Sequence, residues 1–274
     1  MTELVVRRLL IDLSTPFPGR WNGGDAFRSA FFNALSMSFP VGEQYFIDSV
    51  RNGLKALPEA ERERLTPEVQ GFIGQEATHR RIHALFNGQL ERLGYQNEFA
   101  RRAARRIQSN AHRDLRMHVA ATAATEHFTA LFANWLMLHP EALAGAEPRL
   151  QTLWQWHAAE ESEHRCTAFD LYTALGGGQR WRIRTFHYVT VIFLTDVLRQ
   201  TVRNLWHDGS LFSWSTWTSG ARMLFARDGI IRGNYRQWRD YLSSGFHPSQ
   251  HDASRSTQWL RDNTTQFALV GQQS

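Results

Sequence analysis

Residues 150–175 read LQTLWQWHAAEESEHRCTAFDLYTAL, and residues 72–93 read FIGQEATHRRIHALFNGQLERL. In the first stretch Leu150, Trp154, His157, Glu161, His164, Ala168, Leu171 and Leu175 follow one another in steps of four and three. In the second, Phe72, Glu76, His79, His83, Phe86, Leu90 and Leu93 do the same. Such steps place each set on one face of an α-helix. Both faces are apolar at the ends and carry one carboxylate and two imidazoles in the middle. Leaving those groups buried and unpaired costs several kcal/mol each, so something has to satisfy them.

Each stretch also contains Glu-x-x-His, Glu76 to His79 and Glu161 to His164. Spacing alone says little, because 15 Glu and 12 His in 274 residues give about 0.7 such pairs by chance. The register against the apolar stripe carries the information. It points Glu161 inward and sets Glu160 and Glu163 beside it. Two more acids complete the set. Glu43 follows Pro-Val-Gly in FPVGEQYFI, and Glu126 falls in line with Leu115, Val119, Thr122, Ala133 and Leu136 beside the small residues of AATAAT. One Glu from each of two helices, with Glu-x-x-His from each of two others, is the ligand logic of ferritin-like dinuclear carboxylate proteins. Carboxylates neutralise two divalent cations, and imidazoles suit iron or manganese. The bland alternative is a buried ion-pair network, with Glu43 capping the helix that follows it.

Working outward, the pattern predicts a first helix from about Asp25 to Leu57, kinked or interrupted at Pro40. A second has Thr66 as N-cap and Pro67 at the first helical position and stops at Gly94. A third runs from about Ala111 to Leu138, before His139-Pro140. A fourth runs from about Pro148 to the Gly176–Gly178 run, and a fifth from Gln179 to about His207. The Trp-, Gly- and Ser-rich remainder reads as short helices and loops. The expected fold is all-α, a ferritin-like four-helix bundle with a dinuclear metal site and extra C-terminal helices. It forms a single domain over residues 1–274, with a core at about 25–178 and an appended segment at 179–274. No sheet is expected beyond an N-terminal strand.

The stretches FFNALSMSFPVGEQYFIDSVR, FIGQEATHRRIHALFN, ATEHFTALF, LWQWHAAEESEHRCTAFDLY and GFHPSQHD resemble a bacterial family described as predicted metal-dependent hydrolases, over about residues 25–252. The additional His157 makes the site similar to that of the diiron arylamine N-oxygenases, where the added histidine is a seventh ligand. By that resemblance Glu43, Glu76, His79, Glu126, His157, Glu161 and His164 are the metal set. His83, one turn past His79, is either a ligand or a pocket wall. His127, one residue off the stripe of Glu126, and His187 and Asp196 in the fifth helix are candidates for orienting a ligand imidazole.

The expected cofactor is a pair of divalent ions, iron first, with manganese or a mixed Mn/Fe pair as the variant. The leading reading of function is a diiron O2-dependent oxygenase or oxidase for a small organic substrate, with an electron donor as a further partner. The alternative is a hydrolase that uses a hydroxide held by two metals. A third reading is metal storage, for which the residues beyond Gly178 would be superfluous. The aromatic C-terminal segment suggests an apolar pocket cover and so an apolar or aromatic substrate.

Composition narrows the rest. Hydrophobic residues at 42% and charged residues at 21% exclude a disordered chain. A single cysteine, Cys166, excludes a disulfide scaffold. The charge of +5 comes from 30 arginines and one lysine, Lys55, against 26 acids. The cluster Arg101-Arg102-Ala-Ala-Arg105-Arg106 lacks interleaved aromatics and reads as a solvated helix face or the rim of an anionic-substrate site rather than a nucleic-acid site. The start MTELVVRRLLIDLST has no signal-peptide pattern and no segment is long and apolar enough to span a bilayer. A cytoplasmic protein, with homodimerisation open, is the expectation.

Overall fold

The computed structural model describes residues 4–271, and the chain is all-α apart from one short strand pair. A strand β1 (Arg7–Leu9) leads through an irregular segment to α1 (Ala26–Lys55). There follow α2 (Glu59–Arg92), α3 (Glu98–Asn110), α4 (Leu115–Leu138), α5 (Pro148–His164) and α6 (Thr167–Ala174). Then come α7 (Gln179–His207), α8 (Trp214–Phe225), α9 (Ile230–Asp240) and α10 (Ser254–Asp262). A second strand, β2 (Phe267–Leu269), pairs antiparallel with β1, Arg8 opposite Ala268. No helix among the described residues is long and apolar enough to cross a membrane.

The bundle core is made by α1 against α2 and α4 against α5. Helix α7 lies across α1 and α4, and α10 covers α5. The interior is heavily aromatic. Trp154 and Trp156 of α5, Phe32 of α1 and Phe72 and Phe86 of α2 are all buried. Full burial of side chains this size contributes about 1.5–3 kcal/mol each. Local signals set the helix ends. The Asp25 carboxylate accepts the Arg28 N–H at 2.9 Å, Asn97 caps α3 through Ala100, and Asp114 caps α4 through Arg116. Gly94, at φ +87°, ends α2 at the residue past its C-cap, as the sequence suggests.

Three boundaries differ from the sequence pattern, and the interruption that Pro40 allowed in the first helix is absent. Helix α2 begins at Glu59, a full two turns before Thr66. Pro67 sits inside it because the Glu63 carbonyl that loses its N–H partner is on the exposed face, where water can replace it. Helix α1 runs unbroken through Pro40. There the freed carbonyl is that of Ser36, and the Asn87 side-chain amide donates to it at 2.9 Å. The arginine cluster belongs to a separate helix, α3, which the sequence pattern did not separate from the connection before α4. The fourth expected helix is divided at Arg165-Cys166 into α5 and α6. The strand expected at the N-terminus is present, together with a partner that the pattern gave no sign of.

Candidate metal centre

The seven residues of the sequence-derived set converge in the interior from four helices. Glu43 comes from α1, Glu76 and His79 from α2, Glu126 from α4, and His157, Glu161 and His164 from α5. None exceeds 4% exposure. Donor atoms of Glu76, His79, Glu161 and His164 all lie within 4.8 Å of one another, and those of Glu43, His79 and His157 form a second such group. Glu126 joins through His164, whose Nδ1 is 3.0 Å from Glu126 Oε2. That contact is off the hydrogen-bonding line, so it is a contact of charge rather than a formed bond.

A metal ion fits this set better than an ion-pair network does. Both oxygens of Glu43, Glu76 and Glu126, one oxygen of Glu161, His79 Nδ1 and both ring nitrogens of His164 are buried and have no hydrogen-bond partner. A network that had evolved to satisfy itself would not orphan so many acceptors in one place. Burial lifts Glu43 and Glu76 well above the usual carboxylate range, and it lifts Glu126 to about 7 although His164 opposes the rise. Burial would raise Glu161 too, but the charge of His164 beside it holds it well below. Four carboxylates crowded in one buried volume are a charge that a bound cation would neutralise.

Two of the imidazoles are aimed from behind. His79 Nε2 donates to Glu160 Oε2 at 2.9 Å, and Arg7 of β1 donates to Glu160 Oε1 at 3.0 Å. His79 is left with Nδ1 facing the centre, 3.4 Å from Glu161 Oε1. With one nitrogen committed, His79 can serve only one of the two groups that it borders. Burial would discharge this ring, yet Glu160 and Glu161 raise it to about 10, so a metal ion there displaces a proton.

The second chain of contacts starts at Pro40. Because the Ser36 carbonyl takes the Asn87 amide N–H, Asn87 Oδ1 faces Ser36 Oγ at 2.8 Å and accepts its hydroxyl proton. Ser36 Oγ therefore accepts from His83 Nδ1 at 2.9 Å. His83 Nε2 is then bare and accepts from His157 Nδ1 at 2.6 Å. What remains is the His157 Nε2 lone pair, 2.7 Å from Glu161 Oε1. Burial, then the charge of His79, lowers His157 to about 4, and burial beside His157 keeps His83 well below its ordinary value. Two bases therefore face each other with no proton between them, an arrangement that a cation relieves.

The other candidates lie apart. His127 is buried but turns away, donating to Gln237 O at 3.2 Å among Tyr241, Phe246 and His251. His187 is exposed and bonded to Ile183 O of its own helix. Asp196 is buried under Arg102 (2.6 Å) and Arg106 (2.5 Å) and pins α3 to α7, so no bond joins it to His157, whose second nitrogen is held by His83 instead. The GFHPSQHD segment is a strap across the α5–α6 junction. Arg165 donates to Pro248 O and His251 O, and His247 meets Asp170 at 2.8 Å.

Glu160, Arg7, Ser36 and Asn87 were not singled out in the sequence. Ser36 was within reach, being the carbonyl that Pro40 must free, and so was Asn87, one turn past His83. Nothing in VVRRLL marks Arg7.

An apolar cavity of about 510 Å³ ends on His157 and Glu161, with Phe39, Phe128, Trp154 and Trp238 among its walls. A second cavity, of about 370 Å³, shares Phe39, Thr129 and Phe193 with the first and does not reach the carboxylates.

The profile of predicted metal-dependent hydrolases matches residues 5–252. The chain belongs to that family. No curated protein and no solved structure matches it. As a member of the predicted metal-dependent hydrolases, the chain pairs a family description that names a metal with an interior cluster of His and Glu able to hold one.

Proposed function

We propose that this chain is a dinuclear iron enzyme of ferritin-like architecture that oxidises or oxygenates an apolar organic substrate with O2, drawing electrons from a separate donor. The observation that carries the reading is the cavity. It meets the ligand cluster at His157 and Glu161, and beyond those two its walls are aromatic and aliphatic, with a few Thr and Asn234 as the polar exceptions. A hydrolase has to orient a polar scissile group and a leaving group. An oxygenase has to hold an unreactive carbon skeleton dry and close.

Glu43, Glu76, Glu126 and Glu161 would supply four negative charges and His79, His157 and His164 neutral nitrogens to the bound ions. The bound ions would supply Lewis acidity and, with iron, one-electron exchange with O2. The protein's own part is separate. Glu160 with Arg7 fixes the free nitrogen of His79, the Ser36–Asn87–His83 chain fixes that of His157, and Phe39 and Trp154 keep water from the substrate side. The family description favours the second reading, metal-dependent hydrolysis on the same cluster. A cytoplasmic setting, where reducing equivalents are available, suits the first.

The test is metal analysis of protein purified with iron and manganese both supplied, followed by anaerobic loading with Fe(II) and exposure to O2. About two ions per chain and rapid O2-dependent oxidation of bound Fe(II) are expected. Slow oxidation at the rate of free iron, with ester or amide cleavage by the Mn or Zn form, would move the assignment to hydrolysis. In Glu76→Ala and Glu161→Ala the metal content should fall toward one ion or none, and unchanged content in both would make these carboxylates structural.

A further inference from the structure

Helix α7 is apolar on both sides. Its inner face packs on α1 and α4, while its outer face presents Trp181, Tyr188, Val191 and Leu198 to solvent with Arg184 and Arg199 between them. An outer face that exposes this many large apolar side chains among its arginines is more than a solvated surface needs. The exposed surface runs through the last turn of α7, where Trp206 is 66% exposed, and on past it to Phe212 at 85% and Trp214 at 81%. Phe212 and Trp214 stand at the turn into α8 and are the most exposed aromatics among the described residues. Phe212 meets Trp206 edge-on, itself exposed, so these rings add little to the packed body and mark a surface that meets something else.

Charge selects the partner. Residues 179–240 hold ten Arg, no Lys, no Glu and four Asp. Of the arginines only Arg182 is buried. Arg203 meets Glu98, and among the described residues the other exposed arginines of this segment have no carboxylate partner. Two of the four Asp are already spent, Asp196 on Arg102 and Arg106, and Asp208 on Arg20. A two-fold contact between copies of this chain would bring arginine-rich faces together, which like charges oppose. An anionic partner that also accepts aromatic rings is what the surface matches. Tryptophan, phenylalanine and arginine together on one face are the composition of interfacial membrane binding.

The cavities open on the same side. The larger is rimmed by the exposed Leu194, Leu198, Phe225 and Tyr235, and the smaller by the exposed Trp181 and Tyr188.

We propose that the outer face of α7, with the Phe212–Trp214 turn and the adjoining rim of α8 and α9, docks on an anionic lipid bilayer, rings in the interface and arginines against the headgroups. The face stands on its own observations and does not depend on which reaction the metal cluster performs. It predicts that a lipophilic ligand enters the larger cavity from the bilayer side without crossing water.

The experiment is co-sedimentation of the full chain with vesicles of phosphatidylglycerol and phosphatidylcholine, and of phosphatidylcholine alone, beside light scattering of the protein in solution. Binding to the anionic vesicles should exceed that to neutral vesicles by tenfold or more and fall steeply with salt. The double variant Phe212→Ser/Trp214→Ser should lose at least tenfold in binding while keeping the parent's Tm, since both rings lie outside the packed body. Absence of sedimentation with anionic vesicles overturns the proposal, and so does a double variant that binds as well as the parent. A dimer in solution that Leu198→Glu dissociates, together with no vesicle binding, assigns the face to a second copy and overturns it as well.

Discussion

At the scale of single residues, the deciding feature is which nitrogen of each imidazole is free. His157 reaches the cluster with a bare Nε2 only because three protons upstream of it are ordered by Asn87. Asn87→Leu keeps the volume and removes that order, so His83 and His157 can exchange tautomers. The expected result is a 10–100-fold loss of affinity at one metal position with little change in the far-ultraviolet circular dichroism, read by titration with Mn(II). An unchanged affinity would mean that His157 does not depend on the chain behind it. His127 gives a prediction of a different kind. Burial, then nearby His251, lowers it to about 3, so it is neutral when folded. The unfolded chain binds its proton near the ordinary histidine value of about 6.5. Stability from this site is therefore present above about pH 6.5 and is lost as pH falls from there toward 3. His127→Phe should flatten the fall in Tm between pH 7 and 5 relative to the parent. Parallel curves would refute the assignment.

At the scale of elements, α3 shows why a stripe argument has a limit. Its arginines read as a solvated cluster, and several are. Two of them, Arg102 and Arg106, instead close on Asp196 of α7, a pairing between positions some ninety apart that no local pattern could show. Asp196→Ala should lower stability by about 1–3 kcal/mol, as the loss of a charged hydrogen-bond acceptor does, in a denaturant titration. Metal content should not change, because Asp196 touches no member of the cluster. The end of α4 and the starts of α5 and α7 were legible because period and punctuation are local properties, and the Leu138-His139-Pro140, Pro148 and Gly178 borders stand where the sequence puts them. The start of α2 was not, because Pro67 reads as a beginning unless one knows that the Glu63 carbonyl has water to turn to. The cluster was legible for the same reason as the long helices: Glu76, His79, Glu161 and His164 break an apolar stripe in register. Glu160 sits off that stripe, and only the position of α2 beside it decides that it is buried and bonded to His79.

At the scale of the whole molecule, the four acids of the cluster are a liability until they are neutralised. Ions bound at about a thousand times their Kd stabilise the fold by about 4 kcal/mol. Chelation should therefore lower Tm by on the order of 10 °C for a chain of this size, and readdition of Fe(II) or Mn(II) should restore it. A Tm indifferent to chelator in protein shown to contain metal would place the ions outside the bundle. Protons are the substitute when metal is absent. Glu43 and Glu76 are raised well above the ordinary range and Glu126 to about 7. For a raised acid the folded state binds more protons than the unfolded one. The contribution of these groups is thus fully present below about pH 4.5 and is lost as pH rises, through about 7 for Glu126.

The pairing of β1 with β2 has a consequence for how the protein is made. Arg7 holds Glu160, Glu160 holds His79, and the strand that carries Arg7 is itself held by residues 267–269. Arg7 and its partner Leu269 lie about 260 positions apart in the chain. While translation proceeds, the helices can collapse, but the brace behind His79 lacks its anchor until Leu269 has emerged. The aim of His79 is thereby among the last features of the cluster to be fixed, because it waits on a contact between distant parts of the chain.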